Sequence, residues 1–402
     1  MPDVRTITED EVDAYTEAWS VGFHHRPVPG EAEFRRATLD LHRTHAAFDG
    51  ENVVGTARSF PAQLTVPGGG FVPVGAVTNV TVTATHRRHG LLTEMMRQQL
   101  AVMTGLGETA AILIASEAPI YGRFGYGPAT EHAQTVVRVP ATRFTGPAPA
   151  GTVRLCGAAE GRKEMPGVYE RFRHAQPGAI DRSDRWWDVA LALTPRPGPA
   201  KTDGEEFSAL RRDPTGTADG YIRYRIKEHW EDRAAASTME IDELVAASDD
   251  AYAALWRYCT SVDWVQTVRG DDRPPVEPLP WLLEDRRAVR QHKRSDFIWL
   301  RLLAVPQALA ARTYSGEGRL VIAVDGETVA LDAGLDGATC APTTEGADLT
   351  VELADLGAAY LGGTPLWPAA AAGRVTEHRP GAVATFDRLF LTSRPPWCNT
   401  WF

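Results

Sequence analysis

Val80-Thr81-Val82-Thr83-Ala84-Thr85-His86-Arg87-Arg88-His89-Gly90-Leu91-Leu92 runs from an alternating β-branched segment through two arginines and a glycine into a helical run, Thr93 to Thr104. A strand that breaks into such a turn and then a helix is suited to gripping a pyrophosphate. Strict strand alternation would put Val77, Asn79, Thr81 and Thr83 on one face and Thr78, Val80, Val82 and Ala84 on the other. Gly90 lets the backbone approach phosphates without a Cβ in the way, and the first turn of the helix offers unpaired amides. Arg87 and Arg88 add charge-assisted donors. Taken alone, a glycine with two arginines also suits a solvated basic turn; together with the segment downstream, it points to a nucleotide-bearing cofactor.

That downstream segment is Ala111-Ile112-Leu113-Ile114-Ala115-Ser116, a buried-looking strand, and then Glu117-Ala118-Pro119-Ile120-Tyr121-Gly122-Arg123-Phe124-Gly125-Tyr126-Gly127. Strand, Arg-Arg-x-Gly turn, helix, strand and Tyr-x-x-x-Gly-aromatic resemble, in that order, the GNAT-type N-acetyltransferases. With Pro128-Ala129-Thr130 added, the strings are similar to the Eis (enhanced intracellular survival) family. The resemblance implies an α+β fold of tandem GNAT-like domains, the first active and the second degenerate, followed by a sterol-carrier-like domain.

The same resemblance implies acetyl-CoA as co-substrate, no metal, and a homo-oligomer, a hexamer. It assigns the cofactor to Val80, Thr81, Val82, Arg87, Arg88, His89, Gly90, Leu91, Leu92 and Thr93, with Ser116 and Glu117 beside the pantetheine arm. Tyr121 becomes the general acid and the Phe402 α-carboxylate the general base. Tyr126, the competing phenol, occupies the Gly-aromatic position, which packs into the core. For Glu117 a structural cap is the alternative. Phe23, His24, Phe34 and Tyr314 fall roughly where the family places substrate contacts, and each equally suits a core or surface position. The chain departs from the pattern at His89 (a third arginine in the family), at Leu92 (a small residue) and at Trp401 (a carboxylate in some members), where the side chain would face the substrate.

Composition sets independent bounds. With 402 residues, 43% hydrophobic and 23% charged, the chain forms two or three domains with substantial cores. Without an apolar run long enough for a bilayer, and with an acidic, polar start, a cytoplasmic protein that does not engage membranes is expected. Cys156, Cys259, Cys340 and Cys398 lack C-x-x-C spacing and read as reduced thiols. His24-His25 and His42-x-x-His45 read as surface or pocket histidines rather than a metal site. A net charge of −10 argues against nucleic acid and suits a cationic small-molecule substrate.

Three units are expected: 1–145, the acetyltransferase domain; 146–290, a degenerate copy; and 291–402, the sterol-carrier-like domain. The first has helices over Glu9 to Trp19 and Glu31 to Leu41 and strands over Thr44 to Asp49 and Asn52 to Val66. Gly146-Pro147-Ala148-Pro149-Ala150-Gly151 marks a boundary. The second has a helix at Gly167 to His174, a Pro- and Gly-rich loop at Thr194 to Gly204, and a helix at Asp249 to Cys259, without the Arg-Arg-x-Gly turn. In the third, strands from Phe297 to Leu303 onward alternate with helices, and Asp325-Gly326 between alternating runs marks a hairpin.

The chain closes on Arg394-Pro395-Pro396-Trp397-Cys398-Asn399-Thr400-Trp401-Phe402, an apolar end suited to docking rather than fraying, whether to bring its carboxylate into the active site or to seal a domain interface with Trp401 and Phe402. An alkyl amine, with a pKa of about 10, must lose a proton before it attacks a thioester, and a carboxylate with a pKa of about 3.5 is a weak base unless desolvated or relayed through water. No cysteine near the motif and no Ser-His-Asp order is visible, so direct attack in a ternary complex is expected. The function read from the chain is acetylation of primary amines of aminoglycosides or similar polyamines. Acetylation of protein or peptide lysines, or a lipid carrier with a vestigial acyltransferase site, are the alternatives.

Overall fold

The computed structural model describes residues 2–198 and 204–402, so part of the expected loop at Thr194 to Gly204 lies outside the described residues. The elements that build the site are β1 (Asn52–Thr65), β2 (Phe71–Val82), α1 (Leu91–Gly105) and β3 (Ala110–Ile114). Their counterparts later in the chain are β4 (Ala218–Lys227), β5 (Ser237–Ala246), α2 (Asp249–Cys259) and β6 (Val265–Arg273).

The first seven-stranded sheet runs Asp3–Thr6, Thr44–Asp49, β1, β2, β3, Ile298–Leu302, Gly127–Pro128. The second runs Val289–Asp296, Glu131–Arg138, β6, β5, β4, Glu206–Arg212, Thr152–Cys156. Each contains one parallel pair closed over by a helix, β2 with β3 and β5 with β6. A five-stranded sheet and a two-stranded ribbon, Trp230–Glu231 with Ala234–Ala235, complete the described fold.

The two large sheets exchange strands. The chain leaves the first sheet at Gly127–Pro128 and enters the second at Glu131–Arg138; it returns through Val289–Asp296 to Ile298–Leu302. The two crossings pair with one another, Asp296 with Glu131 and Trp299 with Pro128. Sequence order assigns the strand at Phe297 to Leu303 to the last unit, whereas hydrogen bonds to β3 make it part of the first sheet. Alternation tells which face a residue takes but not which strand lies alongside.

A second difference lies in β2. Thr81 pairs with Thr56 and Thr78 with Arg58, so Asn79 and Val80 together oppose Ala57. This is a β-bulge, and Asn79 takes left-handed backbone at φ +58° to make it. The bulge resets the alternation: Val80 joins Val77 against the α1 side of the sheet, in a cluster with Met96 and Met103, instead of taking the opposite face. Strict alternation could not register a residue that adds length without changing composition.

The first sheet is covered on both faces. Leu91, Met95, Met96 and Met103 of α1 pack on one. On the other, Val74, Ala76, Ile112 and Leu300 share a core with Leu320, Ile322, Leu356, Tyr360 and Phe386 of the last unit. In that unit Asp325 (φ +51°) and Gly326 (φ +81°) form the expected hairpin turn between Gly318–Val324 and Glu327–Gly334. Among the described residues no helix is long and apolar enough to cross a membrane.

Candidate active site

The parallel pairing of β2 and β3 stops at Val77 and Leu113, just before the bulge. Beyond it the strands part, and a cavity of about 790 Å³ opens between them. Thr83 donates its amide to the Val54 carbonyl at 2.8 Å, so alternation turns the Thr81 amide toward β1 and the Val82 amide into the gap. Thr81 is held from the other side: its hydroxyl lies 2.9 Å from that of Thr56. The end of helix Val12–Gly22 comes so close that a Cβ on Gly22 would sit 2.6 Å from Thr81 Cβ. Glycine is required there by contact.

The turn after β2 places Arg87 and Arg88 at the cavity wall, with Gly90, Leu91, Leu92 and Thr93 at the start of α1. Gly90 caps α1 at φ +78°, and a Cβ there would meet no protein atom within 4 Å. Its conformation is what demands glycine, and the space beside it is open. Arg88 also takes a positive φ, +67°, which tightens the turn ahead of Gly90. His89 is exposed and does not line the cavity; its ring stands edge-on to that of His86, 6.5 Å away.

Across the gap, Ser116, Glu117 and Tyr121 complete the wall with Val80, Thr81 and Val82. Glu117 precedes the short helix Ala118–Tyr121 and makes no side-chain capping bond. Burial, with a smaller contribution from the Glu117 carboxylate, pushes the Tyr121 phenol up to about 12. Tyr126 is fully buried, its hydroxyl has no partner, and its ring packs edge-on to Tyr121 at 6.2 Å. Tyr121 is therefore the phenol with access to the cavity.

Phe402 does not line this cavity. Its ring meets Phe60 of β1 edge-on at 5.5 Å, against the core shared by the first sheet and the last unit. Trp401 is exposed; it donates its indole N–H to Asp272 Oδ2 at 2.7 Å and packs on Phe297. Tyr314 is not a substrate contact: it is buried in the last unit, donating to the Leu309 carbonyl at 2.6 Å beneath Phe390. Phe34 carries the Arg185 guanidinium over its ring, 4.6 Å from the centroid.

Gly22, His86, Ile120 and Arg123 also line the cavity, beside Phe23 and His24. Arg123 was legible as a third cation within the tyrosine motif. Gly22 and His86 carry no pattern of their own; the fold brings them in.

The arrangement fits a nucleotide-bearing acyl donor. Three guanidinium groups against one carboxylate favour an anion at the turn. The first amides of α1 face the same space, and the inward Val82 amide and Tyr121 hydroxyl stand further along the gap.

Comparison with known proteins agrees with this geometry. Residues 3–129 and 178–302 each match an acetyltransferase (GNAT) domain, and 305–399 a sterol carrier protein domain. An uncharacterized N-acetyltransferase of Streptomyces avermitilis is 41% identical over 100% of this chain and 98% of its own. The N-acetyltransferase Eis of Mycobacterium tuberculosis is 37% identical over 86% of this chain and 85% of its own. The crystal structure of Eis1 from Mycobacterium abscessus superposes with a TM-score of 0.87 at 34% identity, covering 100% of both chains.

Proposed function

Since the chain belongs to the Eis family of GNAT N-acetyltransferases, we propose that it acetylates primary amines of aminoglycosides or similar polyamines by direct attack in a ternary complex. The observation that carries this reading is the convergence of the Val82 amide, the Arg87-Arg88-x-Gly90 turn and Tyr121 on one cavity. Bound there, acetyl-CoA supplies an acyl thioester. Arg87, Arg88 and the first amides of α1 hold its phosphates, and the Val82 amide donates toward the thioester oxygen, where negative charge grows. Ser116 and Glu117 flank the arm.

Tyr121 holds the proton on the side of the departing sulfur. With its pKa pushed up to about 12, it remains protonated across the physiological range. Against a thiol reference of about 8.5, full transfer would be uphill by roughly 5 kcal/mol, so Tyr121 acts first as a hydrogen-bond donor that stabilises charge on sulfur. The Phe402 carboxylate serves as the base toward the substrate ammonium, directly or through water, and its charge also attracts that ammonium. Loss of the family's carboxylate at Trp401 removes one attraction for polycations. By the same family resemblance the enzyme acts as a hexamer.

The carrier alternative has less support: a groove of about 540 Å³ in the last unit is open, and its lining joins Glu317, Asp332 and Asp336 to glycines, Ala333, Ala338 and Thr339, with no large apolar side chain. Thiol release from acetyl-CoA over a panel of aminoglycosides, polyamines and lysine peptides tests the proposal. Turnover with the small polyamines supports it; turnover with lysine peptides alone, or with no amine at all, overturns it.

A further inference from the structure

The second sheet repeats the splayed parallel pair of the first. β5 and β6 pair from Ser237 and Val265 to Ile241 and Gly270, and there the pairing ends. Against β4, Glu243 pairs with Arg223 and Ile241 with Tyr224, so Asp242 is an inserted residue, the counterpart of the bulge in β2. Past it Glu243 and Leu244 lie on one arm, Asp272 and Arg273 on the other.

This second gap has no means of gripping a pyrophosphate. β5 reaches α2 through Ala247 and Ser248 alone, with no arginine and no glycine. Ser248 caps the helix through its hydroxyl, and Asp249 and Asp250 place negative charge in the first turn.

The chain's own end occupies the gap instead. Trp397 donates its indole N–H to the Asp272 carbonyl at 3.2 Å, Asn399 donates Nδ2–H to Glu243 Oε1 at 2.8 Å, and Trp401 donates to Asp272 Oδ2. The segment thus bridges both arms and leaves a void of only about 40 Å³ between them. Arg182, buried and paired with Glu243 at 2.6 Å, donates to the Thr400 hydroxyl at 3.0 Å and to the Asn399 carbonyl at 3.2 Å. His132 binds the Cys398 carbonyl at 2.5 Å and faces Asp272 at 3.2 Å. Each residue from Trp397 to Trp401 has a hydrogen bond to the second unit or the crossing strand; Cys398 also enters the core shared with the first sheet, and Phe402 reaches Phe60.

We propose that the second acetyltransferase unit is a clamp: its splayed strands, which in the first unit flank the cofactor cavity, grip Trp397–Trp401 and so fix where the Phe402 carboxylate stands. Arg182, Glu243, Asp272 and His132 are positioning residues. Burial opposes charge on Asp272, yet hydrogen bonds from His132 and Trp401 hold its carboxyl below the ordinary carboxylate range.

The proposal rests on the reading of Phe402 as the base, but tail docking is measured without any chemistry at the active site. Full-length Glu243→Gln, Asp272→Asn and Trp401→Phe each remove a charge or donor while keeping shape. Carboxypeptidase release of Phe402 from the native enzyme should accelerate about tenfold or more in each, as expected for loss of a charge-assisted hydrogen bond. The kcat should fall in step, with KM for acetyl-CoA within about twofold and CoA binding intact, which shows the fold preserved. Release within twofold of the parent in all three variants overturns the clamp. Faster release with undiminished kcat overturns positioning of the base and locates the failure in the role assigned to Phe402.

Discussion

Val77 and Val80, three residues apart on one strand, pack into the same cluster under α1 because Asn79 between them adopts left-handed backbone at φ +58°. The pairing of β2 with β3 ends just before that residue, and the cavity opens just beyond it. Asn79→Val should therefore be destructive, since a β-branched residue disfavours this region by about 1–2 kcal/mol or more. We expect a lower thermal midpoint and at least tenfold weaker CoA binding by calorimetry, with Asn79→Gly close to the parent in both.

Gly22 and Gly90 separate two reasons for glycine. Gly22→Ala drives a methyl into Thr81, a contact with little room to yield, and should cost about 1–3 kcal/mol of stability by denaturant titration. Gly90→Ala meets no protein atom, so its cost is the strained backbone, about 1 kcal/mol. It should raise KM for acetyl-CoA more than it lowers kcat.

Arg87→Ala and Arg88→Ala should each weaken acetyl-CoA binding about tenfold, as loss of a charge-assisted donor implies. The difference from the parent should shrink as salt rises, because both side chains are exposed. Titration with CoA at low and high ionic strength measures it.

Tyr121→Phe should lower kcat by about 100-fold or more while leaving KM for acetyl-CoA nearly unchanged. A phenol pushed up to about 12 loses its proton only in strong alkali, so the alkaline limb of kcat attributable to it should be absent below about pH 10. Removing the nearby negative charge by Glu117→Gln favours the phenolate and should move that limb to lower pH.

The order of strand, arginine turn, helix, strand and tyrosine was legible because each step has its own local chemistry: β-branched alternation, paired cations with glycine, then helical spacing. Thr44–Asp49 and Asp249–Cys259 fall on the expected bounds for the same reason. The partners of Ile298–Leu302 were not legible: the strand itself was expected, from Phe297 to Leu303, but its pairing is set by the crossing of two chain segments, one of which runs into Glu131–Arg138, a strand the sequence reading did not identify. Tyr314, equally open to a pocket or a core reading from sequence, lies in the core for a related reason. Its place there depends on Phe390, and the hydrogen bond of Trp401 on Asp272, residues distant in sequence that no period along the chain reveals. The bulges at Asn79 and Asp242 left no trace in composition, yet they decide where both gaps open.

The most direct test of the account is acetyl transfer by an enzyme with one glycine appended after Phe402. The extension displaces the carboxylate while leaving Arg87, Arg88, Gly90 and Tyr121 untouched. The account predicts loss of turnover by about 100-fold or more with CoA affinity intact; full activity in the extended enzyme would contradict it.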